Sequence, residues 1–161
     1  MLPGNHDPLM RGSVWDRGQL SSIDNVHVLG EQTDIAAFSA FDLEIWGRAH
    51  EDYNEINPLE GAPQRSAGRH IVAGHGHFAE ERTPEGQPGP GWLFTPEDIE
   101  ATDADYVALG HWNRKVQVGT GNVPAWYSGS PDVAGTVNAI RLGSSGGVDI
   151  SHAPVAGPPK T

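Results

Sequence analysis

The sequence predicts an α/β layered fold in which strands outnumber helices. Three observations carry that expectation. Short apolar runs recur along the chain, and several of them end at a glycine. Polar loops rich in turn residues separate the runs, with Gly 21 and Pro 13 among 161 residues. Only one stretch has a clear helix start. The length fits one domain.

The elements follow in order. Met1-Leu2-Pro3-Gly4-Asn5-His6-Asp7-Pro8 is turn chemistry throughout. A domain rarely begins on its tightest polar loop, so the chain is expected to be the later part of a longer one. Asn25-Val26-His27-Val28-Leu29 reads as a short strand. Ile35 to Ala40 and Leu43 to Gly47 read as two more, forming a hairpin around Phe41-Asp42. His50 to Gly68 is polar, with two prolines, and reads as loop. His70 to Gly74 is a strand that runs into a second polar loop, Gly74 to Gly91. Thr95-Pro96-Glu97-Asp98-Ile99 opens a helix, with Thr95 as N-cap, Pro96 first and acids in the first turn. Asp105 to Gly110 is a buried-type strand, and Ala125 to Pro131 is a strand closing in a turn. Thr136 to Leu142 and Val148 to Ile150 pair across the Gly-Ser turn between them. Residues 1–150 are read as one domain and 151–161 as a flexible C-terminal tail.

Composition excludes several classes. Lys+Arg is 10 and Asp+Glu is 21, a formal charge of −11, with no basic cluster to attract a phosphate backbone. No apolar run approaches the ~18 residues of a membrane span, and no secretory signal opens the chain. The expected location is cytoplasmic, with no membrane partner. The absence of cysteine removes disulfides, thiolate metal sites and cysteine nucleophiles.

The eight histidines carry more information than the charge. Three loops repeat one pattern: glycine, then a polar stretch with histidine. They are Gly4-Asn5-His6-Asp7, Gly74-His75-Gly76-His77 and Gly110-His111-Trp112-Asn113. Glycine lets the backbone bend sharply at a strand's carboxyl end, where α/β sheets bind ligands. Imidazoles and amide oxygens converging there suit Zn, Mn or Fe.

These residues resemble a known family. Gly4-Asn5-His6-Asp7 matches the GNHD motif of calcineurin-like metallophosphoesterases. The strand-Gly-His element at His75 resembles the next metal motif, and Gly110-His111-Trp112-Asn113 resembles the GHxH motif. Asp105 to His111, followed by Tyr127-Ser128-Gly129-Ser130-Pro131, is closest to the SbcD-like DNA-repair exonuclease branch. The resemblance spans residues 3 to about 150. It implies the later part of a four-layer metallophosphoesterase sandwich, two packed mixed β-sheets flanked by helices. It also implies hydrolysis of phosphoesters, nucleic acid or nucleotide being candidate substrates, with an ATPase partner if the exonuclease likeness holds.

By position, the resemblance makes Asn5, His75 and His111 ligands of one metal and Asn113 a ligand of the other. His6 becomes the group facing the phosphate, as general acid or charge stabiliser, with Asp7 orienting it or capping the loop. Two divalent ions (Mn, Zn or Fe) would then activate a bridging hydroxide. The family's Asp-x-His and Gly-Asp-x-x-Asp precede GNHD and do not occur here, so the chain is read as N-terminally truncated. Asn113 stands where most members carry histidine. Asn5, His75 and His111 are all neutral donors, so this chain is expected to hold at most one metal, weakly, with little or no activity.

Blander readings compete. His27, His50, His70 and His152 read as surface or locally bonded imidazoles, with His50 the least secure because it follows a strand end. His77 reads equally as a residue near the substrate or as a plain loop histidine. Trp112 and Trp126 read as packing residues, although a tryptophan beside the metals could stack on a base. Asp103 and Asp105 read as polar ends of elements. The alternative function is a non-catalytic binding or regulatory module that keeps the fold. A mononuclear hydrolase built from these residues alone lacks a carboxylate ligand.

Overall fold

Four parallel strands form the centre of the molecule. The computed structural model describes residues 1–82, 91–143 and 147–155. The six-stranded mixed sheet is built from β1 (Ile35–Phe38), β2 (Leu43–Gly47), β3 (Arg69–His75), β6 (Tyr106–Gly110), β7 (Val116–Val118) and β8 (Ala125–Tyr127). Its spatial order is β1-β2-β3-β6-β8-β7. β2, β3, β6 and β8 run parallel, and β1 and β7 close the two edges antiparallel. The protein is therefore an α/β chain with a mixed sheet and short helices.

The sheet forms because its apolar runs stack in register. Trp46, Val72, Val107 and Ala125 stand side by side across the four parallel strands. Val72, Val107 and Ala125 have no exposure at all. Burying a valine or larger apolar side chain contributes about 1.5–3 kcal/mol. The same core takes in Leu59, Phe94, Ile99 and Tyr127. Two residues of β4 (His77–Phe78) pair in parallel with β5 (Leu93–Phe94), which brings Phe78 and Phe94 into that core.

The helix starting at Thr95 is α2 (Pro96–Ala101), and Asp98 accepts hydrogen bonds from the Thr95 amide (2.8 Å) and hydroxyl (3.0 Å). Two further short helices are α1 (Val14–Gly18) and α3 (Pro131–Ala134). At the amino-terminal end of the sheet His70 Nδ1 lies 2.8 Å from Glu44 Oε1, close but not aligned as a hydrogen bond. Burial works to raise the Glu44 carboxyl, but hydrogen bonds from Ser66 and the neighbouring His70 outweigh it and hold it below its usual value.

A hairpin of β9 (Thr136–Leu142) and β10 (Val148–Pro154) forms a separate two-stranded sheet. It rests on the other face of the large sheet. Asn138 donates to the Tyr106 hydroxyl at 3.2 Å, and the His152 ring lies 5.2 Å from that of Trp126.

Several expectations need correction. Asn25 to Leu29 is not a strand. Its groups are taken by the chain start, with Leu29 N donating to Met1 O at 2.9 Å, and Asn25 sits at φ 64 in a turn. The first hairpin strand stops at Phe38, where a tight helical turn (Ser39–Phe41) begins. β10 runs on to Pro154, so Ser151 to Pro154 belong to the hairpin and not to a flexible tail. The loop expected from Gly74 to Gly91 contains β4, and residues 83–90 of it lie outside the described residues. The rest of the expected tail, 156–161, also lies outside them.

Candidate metal centre

Parallel strands share a carboxyl edge, and at that edge the histidines meet. β2, β3 and β6 are neighbours, with Gly47 beside Ala73 and His75 beside Gly110. The residues that follow them therefore emerge together: His50 after β2, His75 at the end of β3, His111 after β6. The rings pair edge to face, His75 with His111 at 5.5 Å, His50 with His75 at 5.6 Å and His77 with His111 at 6.0 Å.

The opening loop lies over this edge. Gly4 N donates to Asp7 Oδ1 at 3.1 Å and Asp7 N to Gly4 O at 3.2 Å, which closes the turn. Asp7 thus caps the loop. The Trp15 indole then holds Asp7 O at 2.5 Å. The turn buries Asn5, whose Oδ1 stands 2.8 Å from His75 Nε2, seventy positions along the chain. His6, next in sequence, is exposed.

Two glycines make room for the His75 ring. A Cβ on Gly4 would lie 2.8 Å from His75 Cε1 and 2.9 Å from both ring nitrogens. A Cβ on Gly110 would lie 2.8 Å from His75 Nδ1. Any side chain at either position pushes into the imidazole. His111 sits at φ 113, a backbone conformation that costs about 1–3 kcal/mol for a residue with a Cβ and persists only where surrounding contacts enforce it.

The electrostatics favour neutral imidazoles. Burial, then the charges of His50, His111 and His6, push His75 down to about 4. Burial, then His77, His6 and His50, also lower His111. Rings kept unprotonated offer lone pairs to a cation at neutral pH.

The donor set suits a divalent transition metal in part. Two donors at right angles, each about 2.0–2.2 Å from a metal, lie about 3 Å apart. The Asn5–His75 contact of 2.8 Å is near that spacing. Among the described residues no group of three His, Asp or Glu forms a ready-made metal cage. The amide oxygen of Asn5 is therefore needed, and no carboxylate among the described residues joins it.

The structure brings together Asn5, His75 and His111, with His77 beside them. Asn113 follows His111 by two positions and is exposed, and its backbone O accepts from Ser130 N at 3.0 Å. Trp112 cannot offer a free face to a base. Tyr127 stacks on it at 4.5 Å, and the Arg114 guanidinium lies 4.9 Å over the ring. Its indole N–H donates to His77 Nδ1 at 3.2 Å. Trp126 lies on the hairpin face, beside His152.

Tyr127 opens the Tyr-Ser-Gly-Ser-Pro element singled out in the sequence, whereas His50 was read there as a bland imidazole. Tyr127 Oη donates to Gly76 O at 2.6 Å and accepts from Phe78 N at 3.0 Å, so it fixes the loop between His75 and His77 from below. His50 is 1% exposed and lies among the clustered rings, not at the surface. The one signal for it was its place just past the glycine that ends β2.

No protein-family model, curated protein or solved structure matches the chain. No helix among the described residues is long and apolar enough to cross a membrane.

Proposed function

We propose that this chain carries one metal-binding half of a di-metal phosphoester hydrolase of the calcineurin-like metallophosphoesterase class, acting on phosphodiesters. The observation that carries the reading is the 2.8 Å approach of Asn5 Oδ1 to His75 Nε2, with the His111 ring beside them. The GNHD and Gly-His-Trp-Asn sequences support it, as does the strained His111 backbone. A mixed six-stranded sheet with a separate hairpin against it supports the reading of part of a four-layer sandwich.

A divalent ion held by Asn5, His75 and His111 would supply charge for the phosphoryl oxygens and acidify a water. The remaining tasks fall to the protein. His6 projects from the loop that carries Asn5, and its charge is felt by both His75 and His111. That position suits donation of a proton or hydrogen bond to the departing oxygen. Asp7 and Trp15 keep the loop closed, so His6 and Asn5 move as one unit. Three neutral donors leave a dication's charge intact, so binding is weak and turnover slow.

The test is hydrolysis of bis(p-nitrophenyl) phosphate with and without Mn(II). Slow turnover is expected, dependent on Mn(II) and lost in His111→Ala. In His6→Ala turnover is expected to fall about 10²-fold or more while Mn(II) still binds. Turnover unaffected by removal of metal contradicts the reading. The lack of a carboxylate ligand among the described residues and the asparagine at position 113 favour one second reading, a non-catalytic module that binds metal or phosphate. Retained Mn(II) with no turnover on any phosphoester selects it.

A further inference from the structure

We propose that His50 is the positioning residue that holds the Asn5 loop and the end of β3 in one register. This role rests on the metal-centre reading above and adds to it a residue that binds no metal.

His50 makes three bonds, and each goes to a different part of the centre. Its backbone N–H donates to Pro3 O at 3.3 Å, before the loop. Its backbone O accepts from Leu9 N at 2.6 Å, after the loop. The segment between these points carries Asn5, His6 and Asp7. The third bond comes from the side chain, where His50 Nε2 faces His75 O at 2.7 Å. A carbonyl oxygen only accepts, so Nε2 holds the proton and donates.

The bonds form a closed circuit. His50 grips both ends of the loop, the loop presents Asn5, Asn5 meets the His75 ring, and the His75 backbone returns to His50. The separation of two ligands at 2.8 Å is thus set by a residue outside the pair.

Packing alone does not account for an imidazole here. His50 is 1% exposed, and its Nδ1 has no hydrogen-bond partner. A buried polar atom without a partner is destabilising. A phenyl ring would fill the slot between His75 and Trp92 without that cost. What a phenyl ring lacks is the donor to His75 O.

The experiment uses the full chain, Co(II) as the probe and its visible absorption as the readout. In His50→Phe, Co(II) affinity is expected to fall about tenfold to a hundredfold, the range seen when groups orienting a ligand are lost. Its metal-free melting temperature should stay near that of the wild type, because the lost hydrogen bond is offset by removal of the stranded nitrogen. His50→Gln, whose amide reaches the same carbonyl, should restore binding. Unchanged affinity in His50→Phe overturns the proposal, and so does a fall in affinity matched by a general loss of stability in both variants.

A metal-free arm separates this inference from the metal reading. Nitrogen–proton correlation spectra of the imidazoles should show the His75–Asn5 bond in the wild type and in His50→Gln, and its loss in His50→Phe. Persistence of that bond in His50→Phe overturns the positioning role whatever the metal does. Failure of the wild type to bind Co(II), with the bond lost as expected, overturns only the metal reading. Should His50→Phe not fold, the comparison moves to His50→Gln against His50→Asn, whose shorter amide misses the carbonyl. Equal binding in those two overturns the proposal.

Discussion

Replacing Tyr127 with Phe removes one oxygen and two hydrogen bonds while leaving the ring in place. The side chain has no exposure, and its stacking on Trp112 at 4.5 Å needs no hydroxyl. The loss falls on Gly76 O and Phe78 N, which Oη bonds at 2.6 and 3.0 Å. Each buried backbone group left without a partner costs about 1–3 kcal/mol, so the pair costs roughly 2–6 kcal/mol before relaxation. We expect about 2–4 kcal/mol, or a melting temperature lower by roughly 4–16 °C for a chain of this size. Burial raises the Tyr127 phenol above its usual value, so the effect should persist in alkaline buffer. Urea unfolding followed by tryptophan fluorescence reads it as a lower midpoint with an unchanged slope. Tyr106→Phe is the control, because its hydroxyl only accepts from Asn138 at 3.2 Å, a bond worth about 1 kcal/mol. If Tyr127→Phe costs no more than the control, Tyr127 does not hold the His75–His77 loop.

Gly4→Ala should weaken Mn(II) binding and lower stability by about 1–3 kcal/mol, the range for overpacking, because the new Cβ would lie 2.8 Å from the His75 ring. A calorimetric titration and a thermal melt check it, and an alanine variant as stable as the wild type contradicts it. The pH dependence follows from His75, which titrates near 6.5 when unfolded and at about 4 when folded. The unfolded chain binds the extra proton, so this contribution is intact above about pH 6.5 and is lost as pH falls from there to about 4. Denaturant midpoints across that window should slope, and His75→Asn should flatten the slope; an equal slope in both proteins removes His75 as its source. Asn113→Ala should leave Mn(II) affinity unchanged, since the side chain is exposed and its backbone bond to Ser130 survives. A clear loss in that titration would restore Asn113 as a ligand.

The parts of the fold legible in the sequence were those with a full period of apolar residues. β2, β3, β6 and β9 each span five residues or more and read directly from their runs. The three-residue β8 was legible from its aromatic pair and the turn that closes it, whereas Val116–Val118 and the two-residue β4 and β5 were not, being set in polar sequence and strands only through their neighbours. Asn25 to Leu29 misled for the opposite reason. It alternates well, but its backbone bonds go to the chain start and to turns. The candidate site was legible where a glycine and a histidine adjoin at a strand end. His50 stands three residues beyond Gly47, and its membership depends on β2 lying next to β3 in parallel, an adjacency absent from a single sequence.

We propose that Asn5, His75 and His111 share one divalent cation. Manganese titration of the full chain, followed by electron paramagnetic resonance, tests it most directly. A single bound ion is expected, with affinity weaker than micromolar and abolished in both Asn5→Ala and His111→Ala. Tight binding that survives either substitution, or no bound ion in the wild type, would contradict it.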